Sequence, residues 1–328
     1  MPAKPRISSS EIGTLWMTYQ QKTMVIRMLD YFIAKAEDQQ AKKIMVHLQR
    51  DIKPYVTDIE TIFKNEGIDV PVGFTEEDVA TGVPKLYDNG FDIMFLRLIK
   101  EISMGMHTLN LTMGYRKDIT QMFRELTSIT QKYYVECTQY LLAKGLLPKS
   151  PYIATQKPIE HVQHKDYLSM FKSNKEKRAL NTVEIAHLHH AIESNITGMH
   201  MILGFAQCAT EKDAAKYFKE GAELAKAIIK ELSEVMLESD LQAPSTAGGN
   251  VTASHLAPFS DKMMLYCVSL FCSFSLGGNS LGTAFSLRND LPAKFSVFMK
   301  DIFQYAHEGA KIMIKYGWME EPPQSEKH

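Results

Sequence analysis

Cysteine is scarce in this chain. The four present, Cys137, Cys208, Cys267 and Cys272, show no Cys-x-x-Cys spacing. That excludes a disulfide framework and reads as buried free thiols in a reducing compartment. Charge of one sign is lacking too. A formal net charge of −1 gives no electrostatic ground for binding nucleic acid or an anionic membrane. No Gly-x-Ser-x-Gly, phosphate-binding loop or dinucleotide fingerprint occurs, so these signatures of catalysis and cofactor binding are missing. The opening residues, Met-Pro-Ala-Lys-Pro-Arg, have no apolar stretch of the signal-peptide kind, and an intracellular protein is expected.

What the chain does have is itself, written twice. Glu11, Leu15 and Pro71 recur as Glu184, Leu188 and Pro244, each 173 positions on (184 − 11 = 173). Gly105, Arg116, Asp118, Phe123, Gly145 and Pro151 recur as Gly277, Arg288, Asp290, Phe295, Gly317 and Pro323, 172 positions on (277 − 105 = 172). The register slips by one residue between the two stretches. A repeat of that period is a small domain, not a solenoid unit of about 20–50 residues. The 328 residues, 45% hydrophobic and 23% charged, suit an ordinary soluble protein of two domains. Each half is long enough to bury a core unaided.

Each copy reads as four helices. Leu15, Tyr19, Ile26, Leu29 and Ile33 recur at helical spacing in the first copy, and Leu188, Ile192, Met199, Ile202 and Ala206 in the second. Capping-box patterns open both, Ser8-x-x-Glu11 and Asn181-x-x-Glu184. Pro54 falls inside the second helix and predicts a kink there, whereas the other copy has Ala227. A long stretch without helical pattern follows in each copy, residues 67–88 and 239–261. A helix of about 24 residues is about 36 Å long, and a loop of about 20 residues can span about 65 Å. Such a loop can start helix 3 at the opposite end of the molecule. Two short turns and one long crossover between helices 2 and 3 define the ferritin-like four-helix bundle. Asp118 and Asp290 are expected as N-caps of helix 4, and Gly145 and Gly317 as its C-terminal stops.

The fold expected is therefore all-α: two tandem ferritin-like four-helix bundles, residues 1–150 and 179–328, joined by a linker over 151–178. The linker holds the basic run Lys172-Ser-Asn-Lys-Glu-Lys-Arg178, read as solvated surface with anion binding as the alternative. Residues 263–287 carry no charge and are long enough to span a bilayer. Serines, glycines and Asn279 interrupt the run, and the matching slot of the first copy holds Arg97, Lys100 and Glu101. A fully buried helix, covered by the other copy or a second subunit, is expected there rather than a membrane span.

Longer motifs carry a family likeness. They include Leu15-Trp16-x-x-Tyr19, Gly73-Phe74-Thr75, Lys144-Gly145-Leu146 and Pro151-Tyr152-Ile153 in the first half. The second half has Gly204-Phe205-Ala206-Gln207, Pro258-Phe259-Ser260-Asp261-Lys262 and Gly309-Ala310-x-Ile312-Met313-Ile314-Lys315-x-Gly317-Trp318. Together these resemble an uncharacterised family of tandem ferritin-like proteins from Bacillus and relatives, similar in fold to spore coat protein F. The resemblance implies the fold and a spore-former setting, cytoplasm or spore coat. It implies no reaction.

A ferritin-like bundle invites a two-metal centre, which needs a Glu from each of two helices and Glu-x-x-His from each of the other two. The first copy has no Glu-x-x-His, and the second has one, Glu184-x-x-His187. Its third helix has no acidic residue between Asp261 and Asp290. Glu184 also has the plainer role of capping. A looser site could draw on His187, His189, His190 and His200, with His190 and Glu193 sharing a face. His161-x-x-His164 in the linker has no supporting ligands. Gly277-Gly278 is read as a close helix contact or a local distortion, with Gly105 in the same slot of the first copy, and the methionines as adaptable core filling. No catalytic or cofactor-binding residue is assigned, the metal question stays open, and no cofactor is expected beyond the alternative of a divalent metal. The expected function is a sporulation-associated structural or interaction protein with protein partners or self-association, as a homodimer, and no nucleic acid or membrane. The alternative is a metal- or small-molecule-binding oxidoreductase-type protein on the same scaffold.

Overall fold

Ser8 and Asn181 start the two copies in the same way. Each side-chain oxygen accepts the N–H of the third helical residue, where Glu11 or Glu184 accepts the cap's own N–H in return. Behind these boxes run α1 (Ser9–Lys35) and α5 (Thr182–Cys208). Short turns lead to α2 (Gln39–Asn65) and α6 (Lys212–Leu237). Long connections lead to α3 (Phe91–Thr112) and α7 (Asp261–Phe285), and α4 (Lys117–Ala143) and α8 (Asp290–Lys315) close the copies. Gly67, Gly145 and Gly317 follow α2, α4 and α8 at φ of 69°, 68° and 67°, the left-handed conformation that glycine adopts without steric cost. This computed structural model describes residues 5–88, 90–154, 158–159, 161–170, 178–245 and 248–325. Among them it is all-helical, with eight α-helices and no strand.

Neighbours repeat as the sequence does. α1 packs on α2 and α3 on α4, with α1 also touching α3 and α2 touching α4. α5 to α8 reproduce the set. The apolar core does not stop at the linker: Phe32, Phe95, Phe205 and Phe259 belong to one cluster that runs through both copies.

The long connections do more than cross. They clasp each other about a pseudo-twofold axis. Ala80 N–H donates to Pro258 O (2.8 Å), and Thr252 N–H, 172 positions after Ala80 (252 − 80 = 172), donates to Leu86 O (2.9 Å). Asp88 N–H donates to Asn250 O and Ser260 N–H to Asp78 O in the same reciprocal fashion. These bonds satisfy loop backbone groups that packing would otherwise strand. Since Asp78 and Asn250 already stand 172 apart (250 − 78 = 172), the one-residue slip falls between Pro71 and Asp78.

Symmetry breaks at the aromatic contacts under the clasp. Tyr87 donates to Met201 O (2.7 Å) and lies over Gly204, where an added Cβ would come within 2.5 Å of it. The equivalent of Gly204 is Tyr31 (204 − 31 = 173), and the equivalent of Tyr87 is Phe259 (259 − 87 = 172). These two meet edge to face at 5.2 Å.

Repeated polar residues hold helix ends together. Glu11 accepts from Ser8 N–H, and also from Tyr115 and Arg116 N–H at 2.8 and 2.7 Å in the α3–α4 turn. Burial works to raise its pKa, but these backbone donors prevail and hold it below the ordinary value. Glu184 makes the same tie to Leu287 and Arg288 N–H.

Several expectations are corrected. Asp118 and Asp290 are not N-caps. Arg116 and Asn289 hold those positions, and the aspartates in the first turn bind the buried guanidiniums of Arg116 and Arg288. Within one chain the other copy does not cover all of α7: Met263 to Leu265 are buried, but Ser273, Gly277, Leu281 and Phe285 are exposed. α7 is the one helix among the described residues long and apolar enough to cross a membrane. No close contact exists at Gly105, Gly277 or Gly278, where an added Cβ would meet nothing within 4 Å. In the basic run, Arg178 is buried against Glu184 at 2.6 Å, while residues 172–177 lie outside the described residues.

Candidate functional site

A polar cluster lies within the apolar interior of the first copy. Lys22 on α1, Lys100 and His107 on α3, and Thr130 on α4 are all within 2% of complete burial. The Lys22 Nζ donates to Gln21 Oε1 (3.1 Å) and lies 2.8 Å from His107 Nε2. His107 Nδ1 is 3.1 Å from Thr130 Oγ1. A lysine donor at Nε2 makes that nitrogen the acceptor and leaves Nδ1–H to bond Thr130. The Lys100 Nζ is buried with no hydrogen-bond partner among the described residues.

Electrostatics follow from this enclosure. Burial disfavours each cationic form. It pushes the Lys100 amine down to about 8. The Lys22 amine is held well below its usual range by burial and then by Lys100. Burial, then the two lysines, lower His107 further. A two-metal carboxylate centre does not fit here, because amines stand where it needs carboxylates.

The second copy is hollow in the matching region. A cavity of about 90 Å³ lies between α5, α6, α7 and α8 and opens to the surface. Its wall includes Asn195, Gly198, Ile228, Phe271, Gly278 and Asn279, with His187 and His190 also lining it.

The histidine cluster does not converge. His190 pairs with Glu101 of α3, and Glu193 pairs with Arg97 of the same helix, so neighbouring residues of α5 reach different partners. The bond from Glu101 raises the His190 pKa. Burial raises that of Glu193 in spite of Arg97. His187 lies parallel to the Phe285 ring at 6.0 Å, and His189 keeps a buried Nε2 without a partner. Burial lowers the pKa of His187, His189 and His200. His161 and His164 are exposed. Glu184 is spent on Asn181, Arg178 and the α7–α8 turn. Among the described residues no group of three or more His, Cys, Asp or Glu is placed to hold a metal.

Sequence reasoning missed the lysine cluster, though a signal existed. Lys22 stands seven residues after Leu15 and four before Ile26, on the inward stripe of α1, and Lys100 falls between Leu96 and Ser103 on that of α3.

The eight α-helices among the described residues, in two related sets, define an all-α protein built by internal duplication. The chain belongs to the family described as "Protein of unknown function (DUF3231)", which matches residues 1–159 and again 168–328. No curated protein matches it. Among solved structures, a "putative spore coat protein" from Bacillus halodurans is similar at 18% identity. The match covers 46% of this chain and 98% of that one, with a TM-score of 0.44. A likeness that remote carries no argument about function.

Proposed function

We propose that this chain is a structural or interaction protein of sporulating cells, built as two ferritin-like four-helix bundles over residues 1–150 and 179–328. One observation carries the non-catalytic reading. The glutamates that a carboxylate centre would need are spent on holding helices together: Glu11 and Glu184 on caps and turns, Glu101 and Glu193 on the contact between copies. The ferritin-like arrangement is supported by the two short turns, the single long connection and the neighbour order within each set. The sporulation setting rests on the motif likeness alone, with cytoplasm and spore coat as the two locations. Partners are proteins, a second copy of the chain among them. The exposed face of α7, with Leu281 55% and Phe285 57% exposed, is the surface for that contact.

Immunoblotting of growing and sporulating cells of the native host, with coat and soluble fractions separated, tests the setting. The protein is expected only after sporulation begins, and equal abundance throughout growth overturns it. Light scattering tests self-association. A strict monomer at high concentration removes that part. The alternative, a metal-binding protein, is tested by elemental analysis of protein purified without chelators. Stoichiometric iron, manganese or zinc replaces the structural reading with it.

A further inference from the structure

Slot by slot, the hollow of the second copy matches the plugged interior of the first. Residues 173 apart in the first two helices of each copy are equivalent (195 − 22 = 173), and so are residues 172 apart in the last two (272 − 100 = 172). Lys22 is replaced by Asn195, Lys100 by Cys272, His107 by Asn279, Met106 by Gly278 and Val25 by Gly198. Each of these five exchanges runs from a longer side chain to a shorter one, while Thr14 to His187, Ile99 to Phe271 and Thr130 to Ile302 on the same wall run the other way. Random drift in a packed core gives compensating changes, since lost volume costs stability. Here the gains leave the losses uncompensated, and a cavity of about 90 Å³ remains.

The two glycines are the telling members. Glycine weakens a helix interior, so it needs a reason, and a close helix approach is the usual one. Gly221 and Gly309 have that reason: an added Cβ would fall 2.0 Å from Tyr305 and 2.5 Å from Tyr217. Gly278 has nothing within 4 Å, and Gly198 meets only Phe271 at 3.8 Å, an ordinary contact. Packing does not require either glycine. What they keep is space.

We infer that the second copy binds a small, uncharged, mostly apolar molecule carrying a hydrogen-bonding group, in the cavity that the first copy fills with Lys22, Lys100 and His107. This goes beyond the structural role proposed above. The chemistry follows from the wall. Ile202, Ile228, Val268 and Phe271 supply apolar surface. Asn195 and Asn279 each donate one N–H within their own helix, to Ala191 O and Ser275 Oγ, and a side-chain amide has further donor and acceptor capacity for a ligand. No Lys, Arg, Asp or Glu lines the cavity. A ligand charge would be left unpaired there, and the His190 ring is already matched by Glu101. Size is bounded too. An apolar cavity of about 150 Å³ admits benzene, so 90 Å³ with an open mouth holds one compact ring or branched group, its remainder toward solvent.

Phenol and benzoate are the probes, titrated into the full chain and followed by methyl-resolved NMR. Phenol is expected to shift the methyl signals of Ile202, Ile228 and Val268 and to leave Ile52 and Leu96 of the first copy unmoved. Benzoate, which keeps the ring but carries a charge on a group two heavy atoms larger, is expected to bind at least about tenfold more weakly. The double variant Gly198→Val with Gly278→Met installs the first copy's residues and is expected to abolish the phenol shifts while raising the melting temperature. Phenol shifts confined to the first copy or absent altogether, equal binding of benzoate, or phenol binding that survives in the folded double variant would each overturn the inference. If the double variant does not fold, the comparison of phenol with benzoate on the native chain decides.

Discussion

Replacing Lys100 with methionine should make the protein more stable. Methionine keeps the length and flexibility of the side chain and removes a buried amine that has no hydrogen-bond partner among the described residues. The magnitude comes from the proton. The folded pKa is about 8, below the ordinary 10.5, so the unfolded chain holds the proton more tightly. Stability of the native chain therefore rises with pH between about 8 and 10.5. Each unit is worth about 1.4 kcal/mol, so below pH 8 the charged amine costs the fold about 3 kcal/mol. Lys100→Met should gain about that much at neutral pH, and the gain should shrink by the same amount as pH rises through the interval. Relief of Lys22, whose pKa Lys100 depresses, adds to the gain at neutral pH. Urea unfolding followed by circular dichroism, run on both proteins from neutral pH to about 10.5, measures the difference, and titrations common to both cancel. A variant less stable than the native chain, or a gain independent of pH, would refute the reasoning and mean that the amine is solvated or paired in solution.

Glu184→Gln should cost about 3–5 kcal/mol in thermal or urea unfolding, because it strands the buried Arg178 and weakens the tie to Arg288. For Glu184 burial raises the pKa, yet Arg178 and backbone donors lower it overall. Its stabilisation is thus present above the ordinary 4.5 and lost as pH falls through the depressed folded value. Gly204→Ala should destabilise by about 1–3 kcal/mol through its clash with Tyr87, whereas Gly277→Ala should gain about 0.5–1 kcal/mol; equal effects in melting experiments would undo the distinction. An NMR titration should place His190 above 6.5 and His187, His189 and His200 below it. Glu101→Gln should bring His190 down, and since its folded pKa is raised, the pair's stabilisation is complete below 6.5 and fades as pH climbs past the raised value. An unchanged His190 titration would mean the pair does not form.

Helix positions were readable because their causes are local. The boxes at Ser8 and Asn181, the glycines after α4 and α8 and the inward stripes act within a turn or two of the chain. What escaped reading depends on residues far apart in sequence. Asp118 looks like a cap until Arg116, itself buried, claims its carboxylate. The order in residues 67–88 could not be foreseen, since its hydrogen bonds end on the other copy's loop. The histidines of α5 looked like a cluster because they are adjacent in sequence, and only α3 shows that His190 and Glu193 face different partners. The cavity is a further case. Its slots were visible as repeated positions, but their common depth appears only when four helices are brought together.

The exchange of Tyr31 for Gly204 and of Tyr87 for Phe259 has a consequence for assembly. A symmetric dimer of one gene product must present the same surface to itself. Joined in one chain, each half answers only to the other, and the two surfaces are free to become lock and key. Two first halves brought together would set Tyr87 against Tyr31, where only glycine leaves room. Two second halves would set Phe259 over Gly204 and leave a void. Each half thus discriminates against its own kind and selects its opposite, so a free first half made alone should stay single until it meets a second.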